Sequence, residues 1–181
     1  MKILIISALM SFLITGSGEL SFDFGEGKAG KDWRIVNDGV MGGLSNSAAG
    51  MTENSVRFKG HVSLDNNGGF AAFRGPYGQV EMEGMSTMEI RYRSTGQGTS
   101  LQLSIAQQYW IPNFKYFLET TDNEWKTVKV DLTEFKQYQM GRLTGKSLGP
   151  EDLSEIKRVG FITANKKEGD FEIEIDYLRF R

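Results

Sequence analysis

Cysteine is absent from the 181-residue chain, and histidine and proline are scarce, with one and three copies. Without cysteine the protein has no disulfide, no thiolate metal site and no cysteine nucleophile. The single histidine, His61, lies in a strand-like segment, and the chain has no Gly-x-Ser-x-Gly motif to present a serine nucleophile to it. A zinc site would require several His or Cys ligands. Composition therefore excludes serine, cysteine and zinc chemistry.

Long runs of positive charge are also missing. No block of like charge exceeds the pair Lys166 and Lys167, the formal net charge is −2, and the sequence pI is near 5.6. A protein that binds a nucleic acid backbone usually carries a basic patch or stripe. We therefore expect no nucleic acid partner.

The chain has no apolar run long enough to cross a membrane as a helix, which takes about 20 residues. The run Ile3–Ile14 is shorter, follows the basic residue Lys2, and is followed by small residues up to Gly18. This order is typical of a secretory signal peptide. A buried strand or core helix is the alternative. We predict a signal peptide over residues 1–18, one domain over residues 19–181 in the periplasm or outside the cell, and no integral membrane span in the mature protein.

The rest of the chain consists of short alternating segments separated by Gly, Asn and Asp. In one of them the apolar residues Met88, Ile90 and Tyr92 alternate with Glu89 and Arg91, which is the pattern of a half-buried strand. No alternation of strands and helices is present. The pattern predicts an all-β domain of about nine or ten strands, folded as a two-sheet jelly-roll β-sandwich.

Local turn signals give further expectations. Asp65–Gly69 contains an Asn-Gly pair and is predicted to form a hairpin, with Phe70–Arg74 as its return strand. Gly60 is expected to mark a β-bulge. Thr133–Ser147 is expected to be an irregular connection. In the last strand, Phe171–Phe180, residues 171, 173, 175 and 177 are expected to face inward.

One stretch in the first third of the chain is rich in turn-forming residues. Asn37, Asp38 and Gly39 predict a turn, because Asx side chains bond to their own backbone and Gly39 accepts a positive φ. The two apolar residues that follow Gly39 are expected to turn inward. Gly42 and Gly43 then allow a backbone path, or a close approach, that side chains would block.

This stretch resembles the signature of the complex I intermediate-associated protein 30 family. The family pattern has Trp, then Asn-Asp-Gly-Val-Met-Gly-Gly and a nearby Ser, which Trp33, Asn37–Gly43 and Ser45 match. The family also has an Asn-Gly-Gly-Phe hairpin followed by a basic residue, here Gly68–Gly69 and Arg74. The resemblance implies a galactose-binding-domain-like β-sandwich and a role in assembling respiratory complex I. For an exported bacterial member the compartment differs, so that partner does not carry over.

The three tryptophans invite two interpretations. Aromatic faces stack on sugar rings, whereas large aromatics also fill the cores of sandwiches. Trp33 is a candidate for either role. Trp125, in an alternating strand, is expected in the core, and Trp110, in an aromatic-rich segment, is expected to be exposed.

Asp38 also has two interpretations. It forms an Asx turn that shapes its loop, or it meets Arg74 as a charge pair that lines a polar site at one edge of the sandwich. We favour the structural role. The candidate binding residues are Trp33, Asn37, Asp38, Arg74 and Trp110, and the candidate structural glycines are Gly39, Gly42, Gly43, Gly68 and Gly69.

Carboxylates remain candidates for catalysis, since a glycosidase needs only two. Glu81 with Glu83, and Glu172 with Glu174 and Asp176, are expected to be same-face sets on strands, a pattern that a solvated sheet face also shows. Loop oxygens such as those of Asn37, Asp38, Asp65 and Asn66 are of the kind that calcium takes, but the EF-hand spacing is absent. We predict no catalytic residue, no metal site and no cofactor, and leave a structural calcium ion open.

Three functions follow, in order of preference. The first is a non-catalytic binding or assembly-factor-like module that acts through contacts with a protein partner. The second is a secreted carbohydrate-binding module, and the third is a carboxylate-dependent glycoside hydrolase. A concave aromatic groove would favour a sugar, whereas a flat apolar patch would favour a protein partner.

Overall fold

A computed structural model describes residues 18–181 of the chain. The predicted signal peptide, apart from Gly18, lies outside the described residues. Within residues 18–181 no helix combines the length and the apolarity that crossing a membrane requires. The same range contains thirteen strands, which are β1 Leu20–Asp23, β2 Arg34–Asn37, β3 Asn46–Met51, β4 Val56–Val62, β5 Ala71–Arg74, β6 Thr87–Gly96, β7 Thr99–Ser104, β8 Asn113–Leu118, β9 Lys126–Asp131, β10 Lys136–Gln139, β11 Arg142–Ser147, β12 Arg158–Thr163 and β13 Gly169–Phe180.

The strands form two antiparallel sheets. The six-stranded sheet has the order β3-β4-β13-β6-β9, and β1 pairs with the C-terminal half of β13. The seven-stranded sheet has the order β11-β10-β8-β7-β12-β5-β2. Three of the eleven pairings in the described residues join consecutive strands, β3–β4, β7–β8 and β10–β11, and the other eight join strands that are not consecutive in the chain. The fold is an all-β jelly-roll sandwich of the galactose-binding-domain-like type, as the sequence predicts.

The core lies between the two sheets and is rich in aromatic side chains. Trp33 is 7% exposed and packs edge-on against Phe24, with ring centroids 5.2 Å apart. Its other aromatic neighbours are Phe22, at 5.7 Å, Phe73, at 5.2 Å, and Phe161, at 5.8 Å. Burying an aromatic side chain of this size contributes roughly 2–3 kcal/mol to stability. This cluster holds the two sheets together at the end where the signature begins.

The predicted hairpin at Asp65–Gly69 is wrong. The preceding strand β4 pairs with β3 and β13 in the six-stranded sheet, whereas β5 pairs with β2 and β12 in the seven-stranded sheet. The segment turns through a short 3-10 helix, Asp65–Asn67, and Asn66 and Asn67 have φ of 55° and 60°. The segment therefore does form a turn, but the turn connects a strand of one sheet to a strand of the other.

Two further expectations in the second half of the chain are wrong. Thr133–Ser147 is not irregular, because it contains β10 and β11, which pair with each other and extend the edge of the seven-stranded sheet. The β11 segment Arg142–Lys146 is exposed throughout, so it lacks the apolar alternation that marks a half-buried strand. Trp125 is not in the core. It is half-buried beneath the guanidinium groups of Arg91 and Arg93, which lie 4.7 and 5.0 Å from its ring centroid.

The inward face of β13 also differs from the prediction. Its pairing with β6 shifts register between Ile175 and Tyr177, so Leu178 and Phe180 are buried while Tyr177 is half-exposed. The predicted bulge at Gly60 is absent, since β4 pairs in unbroken register with β3 and β13. A β-carbon at Gly60 would lie 2.1 Å from the Asn46 carbonyl oxygen, so this glycine allows a close approach of two strands.

Candidate functional site

The carboxylate of Asp38 joins two loops at one end of the sandwich. Asp38 is fully buried and begins a 3-10 helix, Asp38–Met41, directly after β2. Its Oδ1 accepts a hydrogen bond from the backbone N–H of Ser45 at 3.0 Å, and its Oδ2 accepts one from the Ser45 hydroxyl. The same Oδ2 accepts hydrogen bonds from the backbone N–H groups of Gly69, at 2.6 Å, and Phe70, at 3.1 Å. One side chain thus links the loop 38–45 to the loop 63–70.

These donors keep Asp38 ionised. Burial by itself favours the neutral acid and raises the pKa. The hydrogen bonds from Ser45, Gly69 and Phe70 outweigh that effect and hold the pKa of Asp38 below its ordinary value of 3.8. A buried carboxylate satisfied by several N–H and O–H donors is a stable structural element, with no lone pair directed at solvent.

The signature glycines make room for this carboxylate. A β-carbon at Gly43 would lie 2.4 Å from Cγ of Asp38, and one at Gly68 would lie 2.7 Å from its Oδ2. Gly42 and Gly69 have φ of 88° and 130°, which disfavour a side chain. Gly39 differs from the expectation, because its φ is not positive and its β-carbon would meet no atom within 4 Å.

The predicted charge pair between Asp38 and Arg74 does not form. The carboxylate oxygens bond to Ser45, Gly69 and Phe70, while Arg74 lies at the far end of β5, directly opposite Arg34. Asn37 sits opposite Ala71, three residues from Arg74 on the same strand, which is about 10 Å away. Asn37 Oδ1 instead accepts the Ser47 hydroxyl at 2.6 Å, which ties β2 to β3.

Four exposed apolar side chains lie on the two loops that Asp38 joins. Val40 is 77% exposed and Met41 55%, so the expectation that they turn inward is wrong. Leu44 and Leu64 are also exposed and are the sequence neighbours of Ser45 and Ser63. The backbone N–H of Ser63 donates a hydrogen bond to the Ser45 hydroxyl at 3.0 Å. We call Val40, Met41, Leu44 and Leu64 the signature patch.

A second surface feature lies on the outer face of the seven-stranded sheet. Residues that alternate with core side chains on β5, β7, β8, β10 and β12 form a hollow there, which we call the sheet groove. Its floor and sides are formed by Arg74, Ser100, Gln102, Ser104, Asn113, Lys115, Tyr138, Arg158 and Gly160. Ser100 and Ser104 are under 10% exposed although they point away from the core, which shows that the face is recessed.

Cavities open at both ends of the sheet groove. The larger, of about 1020 Å³, is bounded by Ser100, Lys115, Phe117 and Tyr138 and by the loop Gly96–Gly98. Gly98 permits the ring of Phe117 to lie close above it, since a β-carbon there would be 2.3 Å from Cζ of Phe117. A smaller cavity, of about 360 Å³, is bounded by Arg34, Arg74, Tyr77 and Arg158.

The remaining candidate aromatics lie apart. Trp33 is buried in the core and has no face available to a ligand. Trp110 is 51% exposed, as predicted, in the loop before β8, with Tyr109 edge-on at 5.2 Å. The Gln139 side-chain amide donates to the Trp110 carbonyl at 3.2 Å, so this loop is held against β10.

The carboxylates of β13 belong to an ion-paired sheet face. Glu174 is 6% exposed and accepts hydrogen bonds from Ser55, Arg57 and Arg93. Burial tends to raise its pKa, but these donors prevail and keep the pKa of Glu174 below its ordinary value. Glu81 and Glu83 lie outside the strands. Within residues 18–181 no group of three or more His, Cys, Asp or Glu side chains is arranged to hold a metal ion.

The chain matches the model of a known protein family. The family model described as Complex I intermediate-associated protein 30 matches residues 22–175, which covers most of the chain. The chain belongs to that family. It is 27% identical over 169 residues to the mouse (Mus musculus) mitochondrial Complex I intermediate-associated protein 30, with 81% of the chain aligned. The chain spans about half the length of that curated relative, since the alignment covers 51% of it.

Solved structures similar to this member of the Complex I intermediate-associated protein 30 family include carbohydrate-binding modules. The family 11 module of the cellulosomal cellulase Lic26A-Cel5E from Clostridium thermocellum superposes with a TM-score of 0.61 at 17% identity, over 90% of this chain and 94% of that one. A family 11 module from the same organism, in complex with a β-1,3-1,4-mixed-linked tetrasaccharide, gives a TM-score of 0.57 at 21% identity, over 90% and 95% of the two chains. At this level of identity the likeness shows the shared fold.

Several residues of this family member lie in the sheet groove without having been candidates from sequence. Lys115 and Arg158 are the principal ones, together with Tyr77, Tyr138 and Gln102. Lys115 alternates with Phe114 and Tyr116, a pattern that predicts an outward lysine but not its neighbours. Of the candidate residues, Arg74 alone lies in the sheet groove, whereas Asn37 and Asp38 lie at the signature loops.

Proposed function

We propose that this family member is a non-catalytic binding module that acts through contacts with a protein partner. Family membership supports an assembly-factor-like role. The observation that carries the proposal is the signature patch, in which four apolar side chains are exposed on loops that the buried Asp38 holds in place. Exposed apolar side chains on ordered loops are typical of protein interfaces.

The rigidity of the two loops favours recognition. A docking surface that is ordered before binding loses less conformational entropy when the complex forms. The 3-10 helix that carries Val40 and Met41 is closed by Gly42, whose N–H donates to the Gly39 carbonyl at 3.1 Å, and Gly43 N–H donates to the Asp38 carbonyl at 3.1 Å. The same contacts that stabilise the fold therefore present the patch.

Affinity capture with matched variants tests this proposal. The mature protein is immobilised and incubated with an envelope fraction of the source cells, and retained proteins are quantified by mass spectrometry. We expect a protein that is retained by the wild type and lost with Val40→Asp and Leu44→Asp. Leu143→Asp is the control, because Leu143 is 63% exposed on β11, away from the two loops. Equal retention by all four proteins, or retention lost equally with Leu143→Asp, would contradict a role for the patch.

We also propose that the protein works in the periplasm or outside the cell. The support is the sequence of residues 1–18, with a basic residue, a short apolar run and small residues before Glu19. N-terminal sequencing of protein expressed from the full chain should give a mature terminus near Glu19. Recovery of an intact Met1 would contradict the proposal.

A second candidate function is carbohydrate binding, which the sheet groove favours. The groove is recessed, combines aromatic rings with hydrogen-bonding side chains, and crosses several strands of one sheet. Ligand sites of this kind join apolar faces with a few convergent polar groups. The two functions use different surfaces, since the signature patch lies on the loops joined by Asp38 and the groove lies on the outer face of the seven-stranded sheet.

A further inference from the structure

A row of residues crosses the sheet groove from one cation to another. Arg74 pairs with Gly160, Gly160 with Gln102, and Gln102 with Lys115. Residues directly opposite one another point to the same face of a sheet, so these four share the outer face. Arg74 and Lys115 are thus three strands apart, about 14 Å at a spacing of about 4.8 Å. Gly160 has no side chain, and the stem of Arg74 lies over it, with Cγ 3.3 Å from the position that a β-carbon would take.

A second row contributes another cation and two unpaired polar atoms. Arg158 pairs with Ser104, Ser104 with Asn113, and Asn113 with Tyr138. Arg158 Nε and Asn113 Oδ1 are both buried and have no hydrogen-bond partner in the described part of the protein. Buried polar atoms are almost always satisfied in native proteins. The row therefore contains a donor and an acceptor that the described part of the protein leaves unpaired.

The three cations of the sheet groove differ from the arginines on the outer face of the six-stranded sheet. On the six-stranded sheet, Arg57 and Arg93 form salt bridges with Glu174, and Arg91 forms one with Asp176. On the seven-stranded sheet, Arg74, Lys115 and Arg158 have no salt bridge to any carboxylate within residues 18–181. Half-buried cations are normally paired, because removing a charge from water is costly.

The cations of the sheet groove have aromatic neighbours instead. Lys115 Nζ lies 5.4 Å from the ring centroid of Tyr138, and Arg158 Cζ lies 5.0 Å from that of Tyr77. Burial lowers the pKa of Lys115 to about 8, with a further contribution from the positive charge of Arg74. Burial and the charge of Arg158 likewise lower the pKa of Arg74. A negatively charged ligand would relieve this mutual repulsion.

We propose that the sheet groove binds an acidic oligosaccharide whose carboxylates pair with Arg74, Lys115 and Arg158. The inference rests on the second candidate function, carbohydrate binding, and names its ligand class. A uronic acid chain supplies carboxylate oxygens for these cations, and its ring faces can stack on Tyr77, Tyr138 or Phe117.

Binding assays with paired ligands test this inference. Isothermal titration or affinity electrophoresis would compare polygalacturonate and alginate with highly methyl-esterified polygalacturonate, which has the same backbone but little charge. Polyglutamate tests an acidic chain that is not a glycan, and mixed-linked β-glucan tests a neutral glycan. We expect binding to the two acidic glycans, and weaker binding as ionic strength rises.

Variants of the groove provide the second arm. Arg74→Gln and Lys115→Gln should each weaken binding on the order of tenfold, the loss of one charge-assisted contact. Lys129→Gln is the matched control, because it removes the same charge from an exposed position of β9 on the other sheet and should bind like the wild type. Affinity should also fall as the pH rises above about 8 in the wild type, where Lys115 loses its proton, and not in Lys115→Gln. Melting temperatures confirm that each variant is folded.

The outcomes distinguish the acidic ligand class from carbohydrate binding in general. Equal binding of the esterified and free polymers, or binding of β-glucan alone, would overturn the acidic class and leave carbohydrate binding in place. Binding of polyglutamate as tight as that of the acidic glycans would overturn the glycan assignment. No binding of any glycan would overturn both. Loss of affinity with Lys129→Gln equal to that with Arg74→Gln would place the interaction outside the groove.

Discussion

A β-carbon at Gly43 would lie 2.4 Å from Cγ of Asp38 and 2.8 Å from its Cβ. Asp38 is fully buried and holds hydrogen bonds from two loops, so neither residue can move without disturbing the other. Of the paired glycines of the signature, Gly43 is therefore explained by the Asp38 carboxylate, whereas Gly42 is explained by its φ of 88°. Gly43 serves the packing of Asp38 first, and the presentation of the signature patch follows from it.

We expect Gly43→Ala to lower the free energy of unfolding by about 1–3 kcal/mol, because overpacking displaces Asp38. Gly39→Ala is the matched control in the same signature, since its β-carbon would meet no atom within 4 Å. It should leave stability within about 0.5 kcal/mol of the wild type. Urea denaturation of the three proteins measures both effects. Equal stability of Gly39→Ala and Gly43→Ala would contradict this account.

Asp38→Asn should destabilise the protein by about 1–3 kcal/mol at neutral pH, because its amide group would face N–H and O–H donors. The pKa of Asp38 is lowered on folding, so its contribution is present above the unfolded value of 3.8 and is lost as the pH falls through the lower folded value. The stability difference between wild type and variant should therefore shrink below about pH 4. Thermal melts across that range would show it, and a difference independent of pH would contradict the ionised state.

Lys115→Met should stabilise the unliganded protein, by about 1–3 kcal/mol at pH 7. The pKa of Lys115 is about 8 when folded, against 10.5 for an exposed lysine. At pH 7 folding therefore places a protonated lysine in an environment that disfavours its charge. As the pH rises from about 8 to 10.5, folded Lys115 loses its proton first and the wild type gains stability. The advantage of the variant should therefore diminish over that window in urea denaturation. A variant less stable than the wild type at pH 7 would contradict the lowered pKa of Lys115.

Trp33→Ala and Trp125→Ala should differ strongly. Trp33 is packed among Phe22, Phe24, Phe73 and Phe161, and its loss should cost about 3–5 kcal/mol. Trp125 contacts Arg91 and Arg93 outside the core, and its loss should cost about 1 kcal/mol. Denaturation midpoints provide the measurement. Comparable losses would show that Trp125 has a larger structural role than its exposure indicates.

Local patterns in the sequence were enough to predict the class of the fold. The alternation of Met88, Ile90 and Tyr92 identified a strand, because side chains of a strand alternate between core and solvent. The signature predicted the family, which the family model over residues 22–175 confirms. Both signals are contained in a few consecutive residues, so they need no knowledge of the rest of the chain.

The errors occurred where a strand's partner decides the outcome. Asp65–Gly69 has the composition of a hairpin, yet β4 and β5 belong to different sheets, because pairing depends on strands that are remote in sequence. The register shift after Ile175 likewise follows from pairing with β6, and it reverses which residues of β13 face the core. Arg142–Lys146 forms a strand through its backbone bonds to β10, with no apolar face to reveal it.

The candidate sites also combine local features, which the sequence predicts, with features that depend on strand pairing. Sequence alone located Asp38 and the glycines around it, because they lie within one short segment whose turn chemistry is local. It did not show that the second loop would supply Gly69 and Phe70 as donors. The sheet groove depended wholly on tertiary structure, since Arg74, Gly160, Gln102 and Lys115 come from four strands spread over 87 residues and meet only through the register of the seven-stranded sheet.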